Sequence, residues 1–219
     1  MIESIVFDNV NLASFADNST SGNDSKVWNN TITFQKGKSY LIEASSGAGK
    51  SSFCAFLCGL RNDYVGKILL YDGSGNVLPS GSSNRLLRRQ KILAMMFQEH
   101  RLFPELSSVD NVMLKSQITD YATEAEVRGM LKRVGLEEHL DRPCGKMSLG
   151  QQQRVAFVRA LCQPFDFILL DEPISHLDEE NAAVMAQMLR ERQDRDKVGI
   201  IVTSIGYRLP YEYDNVLYL

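Results

Sequence analysis

Long apolar segments are missing from this sequence of 219 residues. Its longest apolar runs are of the size of Phe167 to Leu170 and Gly199 to Val202, whereas a helix needs about 20 apolar residues to cross a bilayer. The first residues, MIESIVFDNV, also lack the basic stretch and the long apolar stretch of a secretory signal. We therefore expect no direct insertion into a membrane.

An excess of basic charge is missing too. The chain contains 24 lysines and arginines against 27 aspartates and glutamates, which gives a net charge of −3 and a pI near 5.7. A surface that binds nucleic acid needs concentrated positive charge. We therefore expect no nucleic-acid partner.

Cysteine and histidine are scarce. The four cysteines, Cys54, Cys58, Cys144 and Cys162, form no dense pattern that would predict a disulfide framework. Cys54 and Cys58 lie four residues apart on a predicted helix, but a metal site would need two more ligands and no histidine is close in sequence. We expect reduced, mostly buried thiols in a cytosolic protein.

The chain is long enough for a substantial core, and its pattern alternates between strands and helices. Residues 1–12 and 27–34 alternate between apolar and polar positions, which predicts two half-buried strands that pair as a hairpin. The wholly apolar run at 92–97 predicts a buried parallel strand. The apolar-rich runs at 165–170 and 198–203 predict two more core strands. Strands that alternate with helices form a parallel α/β sheet, which binds ligands at the carboxyl ends of its strands.

Helical patterns dominate between these strands over about residues 99–163, and Pro164 ends them. Predicted helices lie near Asn111, over Thr123 to Val134, and after Ser148. The sequence thus predicts one domain over residues 1–219, in which an antiparallel β subdomain comes first and a helical lobe is inserted into the α/β core.

A phosphate-binding loop is predicted by the stretch SYLIEASSGAGKSSF, Ser39 to Phe53. An apolar strand leads into a turn of small residues, and an apolar helix follows. The small residues let backbone N–H groups surround an anion, and the helix start adds a positive dipole end. Lys50 would reach the β- and γ-phosphates and Ser51 would ligate Mg²⁺. An ordinary turn before a buried helix is the simpler alternative, but the ordered run Gly-Ala-Gly-Lys-Ser argues against it.

Two carboxylates follow the predicted strand FDFILL. Asp171 at the strand end would face Ser51 and hold Mg²⁺ through water, and Glu172 would polarise an attacking water. An acidic pair is a weak signal alone. Together with Lys50 and Ser51 it predicts a P-loop nucleoside triphosphatase core.

Five segments resemble, in the same order, the motifs of the ATP-binding subunit of ABC transporters, and the resemblance covers nearly the whole chain. They are ASSGAGKSS for the Walker A loop, MMFQEHRLFPELSSVDNVML for the Q-loop region, MSLGQQQRVAFVRAL for the ABC signature and its helix, FILLDEP for Walker B with the catalytic glutamate, and SHLD for the D-loop. The length of the chain and the sequence around LFPELSSVDNV look most like those of the lipoprotein-release and macrolide-export branch.

The resemblance implies an ATPase that uses ATP and Mg²⁺ and assigns its site residues. It assigns catalysis to Glu172, Gln98 and Lys50. It assigns metal binding to Ser51, Gln98 and Asp171. The loop residues would bind the phosphates; they are Ser45, Ser46, Gly47, Ala48, Gly49, Lys50, Ser51 and Ser52. Phe15 either stacks on adenine or packs in the core.

The signature implies a second ATP-binding subunit, identical or different. Ser148, Gly150 and Gln151 at a helix start would bind the γ-phosphate held by that subunit, so two chains assemble head to tail around ATP. A membrane permease subunit would dock in an apolar groove that involves Leu102, Phe103 and Leu106, unless these residues only pack the core of the lobe. The protein would then lie in the cytoplasm, on the inner face of the cell membrane.

Three positions depart from the family pattern. Ala44 and Leu149 replace glycines of the phosphate loop and the signature, and Ile205 stands where the family has a switch histidine. Isoleucine cannot donate a hydrogen bond to a phosphate. A transporter ATPase with slow hydrolysis is therefore expected, and a regulatory ATP-binding module with little turnover is the alternative. An ABC ATPase that works on DNA or ribosomes is disfavoured by the acidic pI and by the lack of long insertions.

Overall fold

The computed structural model describes residues 1–12, 25–45, 47–78 and 91–219. Within these residues the strands are β1 (Ile2–Leu12), β2 (Thr31–Gln35), β3 (Ser39–Glu43), β4 (Tyr64–Asp72), β5 (Leu93–Met96), β6 (Phe167–Asp171), β7 (Gly199–Ser204) and β8 (Asn215–Tyr218). The α-helices are α1 (Lys50–Leu57), α2 (Ser108–Thr119), α3 (Glu124–Arg133), α4 (Leu149–Leu161) and α5 (Glu179–Asp196). Two short 3-10 helices, Glu137–His139 and Cys144–Lys146, connect α3 to α4.

A parallel sheet with the strand order β5-β6-β7-β3-β8 forms the centre of the molecule. Every residue of β6 and β7 is buried, as expected for parallel strands that are covered on both faces. The pairs Asp171↔Thr203 and Glu43↔Ser204 align the carboxyl ends of β6, β7 and β3. The predicted parallel sheet is confirmed, and the loops that follow these three strands meet at one edge.

An antiparallel sheet with the order β2-β1-β4 lies at the amino-terminal side. Ile5 of β1 pairs with Phe34 of β2 and with Leu70 of β4. All three side chains are buried. Their core also contains Phe53 and Phe56 of α1, so this sheet covers the helix that follows the phosphate loop.

The predicted start of the second strand was wrong. Strand β2 begins at Thr31, whereas the alternating pattern predicted a strand from Val27. The Ser25 hydroxyl accepts hydrogen bonds from the backbone N–H groups of Val27 and Trp28, at 3.1 and 2.9 Å. Such local bonds between side chain and backbone compete with strand pairing, and they fold residues 25–30 into a turn.

Capping residues determine where two helices of the lobe begin. Thr123 and Ser148 each begin a helix with a capping box, with Glu126 and Gln151 as the reciprocal partners. Helices α2, α3 and α4 pack on one another, and their buried apolar residues share one core with the parallel sheet. The three predicted helices are confirmed, and the shared core fixes the position of α4 relative to β6.

The predicted burial of the four cysteine thiols is confirmed. All four cysteines are buried and free of disulfides. No helix in the described ranges is long and apolar enough to cross a membrane.

Candidate functional site

The phosphate loop connects β3 to α1 as predicted. Gly47 and Gly49 have φ angles of 84° and 95°, which only glycine adopts readily. Gly49 is the N-cap of α1, and no side chain caps this helix. Because an α-helix leaves its first N–H groups without partners inside the helix, the first turn of α1 can bind phosphate oxygens. Ser46 lies outside the described residues.

Ala44 fits the loop without strain. Its φ angle is not in the left-handed region, and its N–H group donates to the Ser204 carbonyl at 3.1 Å. A Cβ atom is costly only where φ is positive. The first departure from the family pattern therefore leaves the loop intact.

The three residues assigned to catalysis converge. The Nζ atom of Lys50 lies 3.2 Å from Oε1 of Glu172, and Nε2 of Gln98 donates to Oε2 of the same carboxylate at 3.2 Å. The Lys50 and Glu172 side chains are only 11% and 6% exposed. A phosphate bound at the loop would compete with Glu172 for the Lys50 ammonium group.

Asp171 lies at the end of β6, where the Thr203 hydroxyl donates to its carboxylate at 2.5 Å. Burial raises the pKa of Asp171, and the Thr203 hydrogen bond partly opposes this effect. Burial raises the pKa of the Cys54 thiol, one helical turn after Ser51, far above its usual value, and the neighbouring Asp171 carboxylate adds to this effect. Asp171 therefore lies close to α1, the helix that carries the predicted metal ligand Ser51.

The signature residues stand at the start of α4. Ser148 and Leu149 are exposed, and Leu149 is 54% exposed. Gly150 packs against the D-loop so closely that a Cβ atom would lie 2.5 Å from the His176 carbonyl oxygen. The Gln151 side chain is held by the Ser148 N–H group and by the His139 ring. The signature and the D-loop therefore form one continuous surface.

Gln153 was missed by the sequence analysis. Its Nε2 atom donates to the Glu172 carbonyl at 3.0 Å and to the Ser175 hydroxyl at 3.2 Å, and its Oε1 atom accepts from the His176 N–H group. It thereby ties the signature helix to the catalytic turn and the D-loop. A signal was present, because Gln153 shares the helix face of Ala156 and Phe157, which are buried.

Comparison with known proteins identifies the family. A family model described as ABC transporter matches residues 27–175. The chain belongs to the ABC transporter ATP-binding family. It is thus an ATP-binding domain of a family of ATPases, as the motifs predicted.

Two of the three relatives described here are named for different cargoes. The uncharacterized ABC transporter ATP-binding protein YclH of Bacillus subtilis is 36% identical over 78% of this chain and 76% of its own length. The lipoprotein-releasing system protein LolD of Legionella pneumophila is 31% identical over 86% of this chain and 83% of its own. The phosphonates import protein PhnC of Rhizobium etli is 35% identical over 78% of this chain and 64% of its own.

A solved structure shows the same fold. The dimeric structure of MJ0796, a bacterial ABC transporter cassette, superposes with a TM-score of 0.80 over 98% of this chain and 94% of that chain, at 22% identity. The predicted α/β class, with its parallel and antiparallel sheets, is thus that of an ABC cassette.

At the position predicted for the switch histidine, the nearest hydroxyl group is already engaged in its own turn. Ile205 is 46% exposed, directly after β7. The Ser204 hydroxyl, the nearest alternative, donates to the Tyr207 carbonyl at 2.7 Å and accepts from the Gly206 N–H group at 3.1 Å. Ser204 thus stabilises its own turn. Phe15, the candidate for adenine stacking, lies outside the described residues.

An apolar groove lies beside the Q-loop of the cassette, but the predicted residues were partly wrong. Phe103 lines it and is 54% exposed. Leu102 instead packs against the core of the lobe, and Leu106 does not line the groove. The larger apolar side chains that line it with Phe103 are Leu93, Met95, Phe97, Leu114 and Ile118, and Arg101, Lys115 and Arg159 also line it.

Proposed function

We propose that this chain binds Mg-ATP, closes head to tail on a second ATP-binding subunit and hydrolyses ATP to drive a membrane transporter. The convergence of Lys50 and Gln98 on the Glu172 carboxylate carries this proposal. A lysine that can hold phosphates, an amide and a carboxylate that can polarise water are the groups that phosphoryl transfer to water requires.

The donor atoms at the site fit Mg²⁺. Ser51, Gln98 and Asp171 offer hydroxyl, amide and carboxylate oxygens, which a hard cation prefers. Burial raises the pKa of Asp171, so a nearby cation would stabilise its charged form. Bound Mg²⁺ would neutralise charge on the phosphates, while the Thr203 hydroxyl holds the Asp171 carboxylate in place.

The dimer follows from the separation of two half-sites on one chain. The phosphate loop lies at the carboxyl edge of the sheet, whereas Ser148 and Gly150 present a second helix start on the exposed surface shared with the D-loop. A helix start attracts anions. We infer that this surface completes the phosphate site of a second subunit, which is identical or different.

The membrane partner is assigned to the groove that Phe103 lines. Its exposed apolar side chains would bury an apolar helix end of a permease subunit. On this proposal residues 1–219 form one ATP-binding domain in the cytoplasm, attached to the inner face of the cell membrane. Ile205 favours slow hydrolysis, and it also supports the second candidate function, a regulatory module with little turnover.

The dimer can be tested with Glu172→Gln, which keeps the shape of the side chain but removes the carboxylate. We expect Mg-ATP to convert this variant to a stable dimer in sedimentation velocity, because bound ATP is no longer hydrolysed. A Ser148→Arg change in the same background places bulk on the signature surface and should prevent the dimer. A Glu172→Gln variant that hydrolyses ATP at the native rate would contradict the role of Glu172.

The docking groove can be tested with Phe103→Asp. A charge in place of the exposed phenyl ring should abolish co-purification with the membrane subunit, because the aspartate would have to lose its water on docking. ATP-driven dimerisation of the isolated chain should not change. Val77→Asp is the matched control, since Val77 is 43% exposed but lies outside the groove. Equal loss in both variants, or no loss in Phe103→Asp, would contradict this assignment.

A further inference from the structure

Trp28 is the single tryptophan of the chain, and the motifs give it no role. Its side chain is buried beneath the phosphate loop, where its ring packs edge-on against Phe53 and Phe56 of α1 at centroid distances of 6.4 and 6.3 Å. Its indole Nε1–H donates to the Ala48 carbonyl at 3.0 Å. A core residue thereby binds the backbone of the loop itself.

The hydrogen bond from Trp28 to Ala48 determines how one peptide unit of the loop is oriented. The Ala48 carbonyl and the Gly49 N–H group belong to one peptide unit, and no peptide bond among the described residues is cis. In a trans peptide these two groups point in opposite directions. A carbonyl held toward the buried indole therefore directs the Gly49 N–H group away from the core, to the side on which the loop would hold phosphate.

The conformation of Gly49 depends on the same ring. A Cβ atom at Gly49 would lie 3.1 Å from the Trp28 ring and 3.3 Å from Leu12. The indole thus contacts the N-cap of α1 directly, at a residue with a φ angle of 95°. Any other orientation of this peptide would leave the buried indole N–H group without its partner, which is costly.

The turn that carries Trp28 is itself held from several sides. The Ser25 hydroxyl accepts the Trp28 N–H group, and the next N–H group, that of Asn29, donates to the Val10 carbonyl at 3.0 Å. Lys26 N–H donates to the Tyr218 carbonyl at 2.8 Å, which ties the turn to β8. Strands β1 and β8 therefore fix the turn from which the indole reaches Ala48.

We propose that Trp28 is a positioning residue for ATP: its indole N–H group fixes the Ala48–Gly49 peptide so that the Gly49 N–H group is oriented for phosphate before the nucleotide arrives. Preorganised groups bind without an ordering cost. This inference rests on the proposed function, because it concerns the same phosphate loop.

The test is Trp28→Phe, which keeps an aromatic ring against Phe53 and Phe56 but removes the N–H donor. We expect the calorimetric Kd for Mg-ATP to rise about three- to tenfold, the effect of losing one neutral hydrogen bond. The KM for ATP should rise by a similar factor while kcat stays close to native, since Glu172 and Gln98 are untouched. Phe56→Leu is the control, because it weakens the same aromatic cluster without removing a donor, and its Kd should remain native.

A second variant covers the case in which Trp28→Phe does not fold. Benzothienylalanine at position 28 keeps the shape of the indole and replaces only its N–H group by sulfur, and it should raise the Kd to the same extent. A native Kd in either folded variant, or an equal rise in Phe56→Leu, would overturn this inference. Failure of the native chain to bind Mg-ATP would instead overturn the proposed function, so the two failures are distinguishable.

Discussion

Replacing Lys50 by alanine should abolish detectable Mg-ATP binding in calorimetry. The Lys50 ammonium group already binds a carboxylate oxygen at 3.2 Å in a site that is nearly closed to water, and phosphate oxygens would take the place of that carboxylate. Each hydrogen bond between charged groups contributes about 1.5–3 kcal/mol. Loss of two such contacts lowers affinity by roughly 100- to 10,000-fold.

The Lys50→Ala change has a second effect that needs its own control. It leaves the buried Glu172 carboxylate with only the Gln98 amide, and an unpaired buried charge destabilises the fold. The double variant Lys50→Ala/Glu172→Gln removes that charge, so it should regain thermal stability without regaining ATP binding. Lys38→Ala, at the opposite end of β3 and paired with Asp214 on the surface, should bind ATP normally. Native affinity in Lys50→Ala would show that the phosphates lie elsewhere.

The exchange of partners at Lys50 also suggests how binding prepares catalysis. In the structure Glu172 is engaged by Lys50 and by Gln98. On the proposed function, phosphate that binds Lys50 would release the Glu172 carboxylate to accept a proton from water. Gln98 contacts the same carboxylate. It belongs to the Q-loop, which lies beside the groove proposed for the membrane subunit.

The sequence predicted the parts of the site whose backbone conformation is set locally. Gly49 needs a left-handed φ angle and Lys50 starts an uncapped helix, and both features follow from residue type and order. Asp171 was placed correctly at a strand end because the residues of β6 that precede it are all apolar and buried. Ser148 was identified as a helix start because it is a capping residue and a glutamine, Gln151, follows three positions later.

The sequence could not predict contacts that depend on how distant elements pack. The bond between Trp28 and Ala48 requires residues 25–30 to leave the strand pattern, and the alternation of apolar residues predicted the opposite. Gln153 contacts Glu172 only because α4 and β6 share one core. Leu102 and Phe103 are both apolar neighbours, yet one packs inward and the other is exposed, and nothing in their order decides between them.

Replacing Ile205 by histidine should raise ATP turnover about 10- to 100-fold, while the affinity for ATP stays nearly unchanged. Ile205 is 46% exposed directly after β7, at the edge where the phosphate loop and Glu172 meet. A histidine there could donate to the γ-phosphate. A hydrogen bond to a charged group contributes about 1.5–3 kcal/mol, and a contact made mainly in the transition state lowers the barrier by that amount. Steady-state phosphate release measures the gain.

Two further variants of the same turn serve as controls: one tests the position of the imidazole and the other tests the Ser204 hydroxyl. Tyr207→His adds a histidine two residues further along, where the native side chain is 73% exposed, and it should leave turnover low. The Ser204 hydroxyl is committed to the Tyr207 carbonyl and the Gly206 N–H group, so it cannot donate to phosphate without opening the turn. Brisk hydrolysis by the native chain, with no gain in Ile205→His and a loss in Ser204→Ala, would mean that the turn does open and that Ser204 supplies the missing donor.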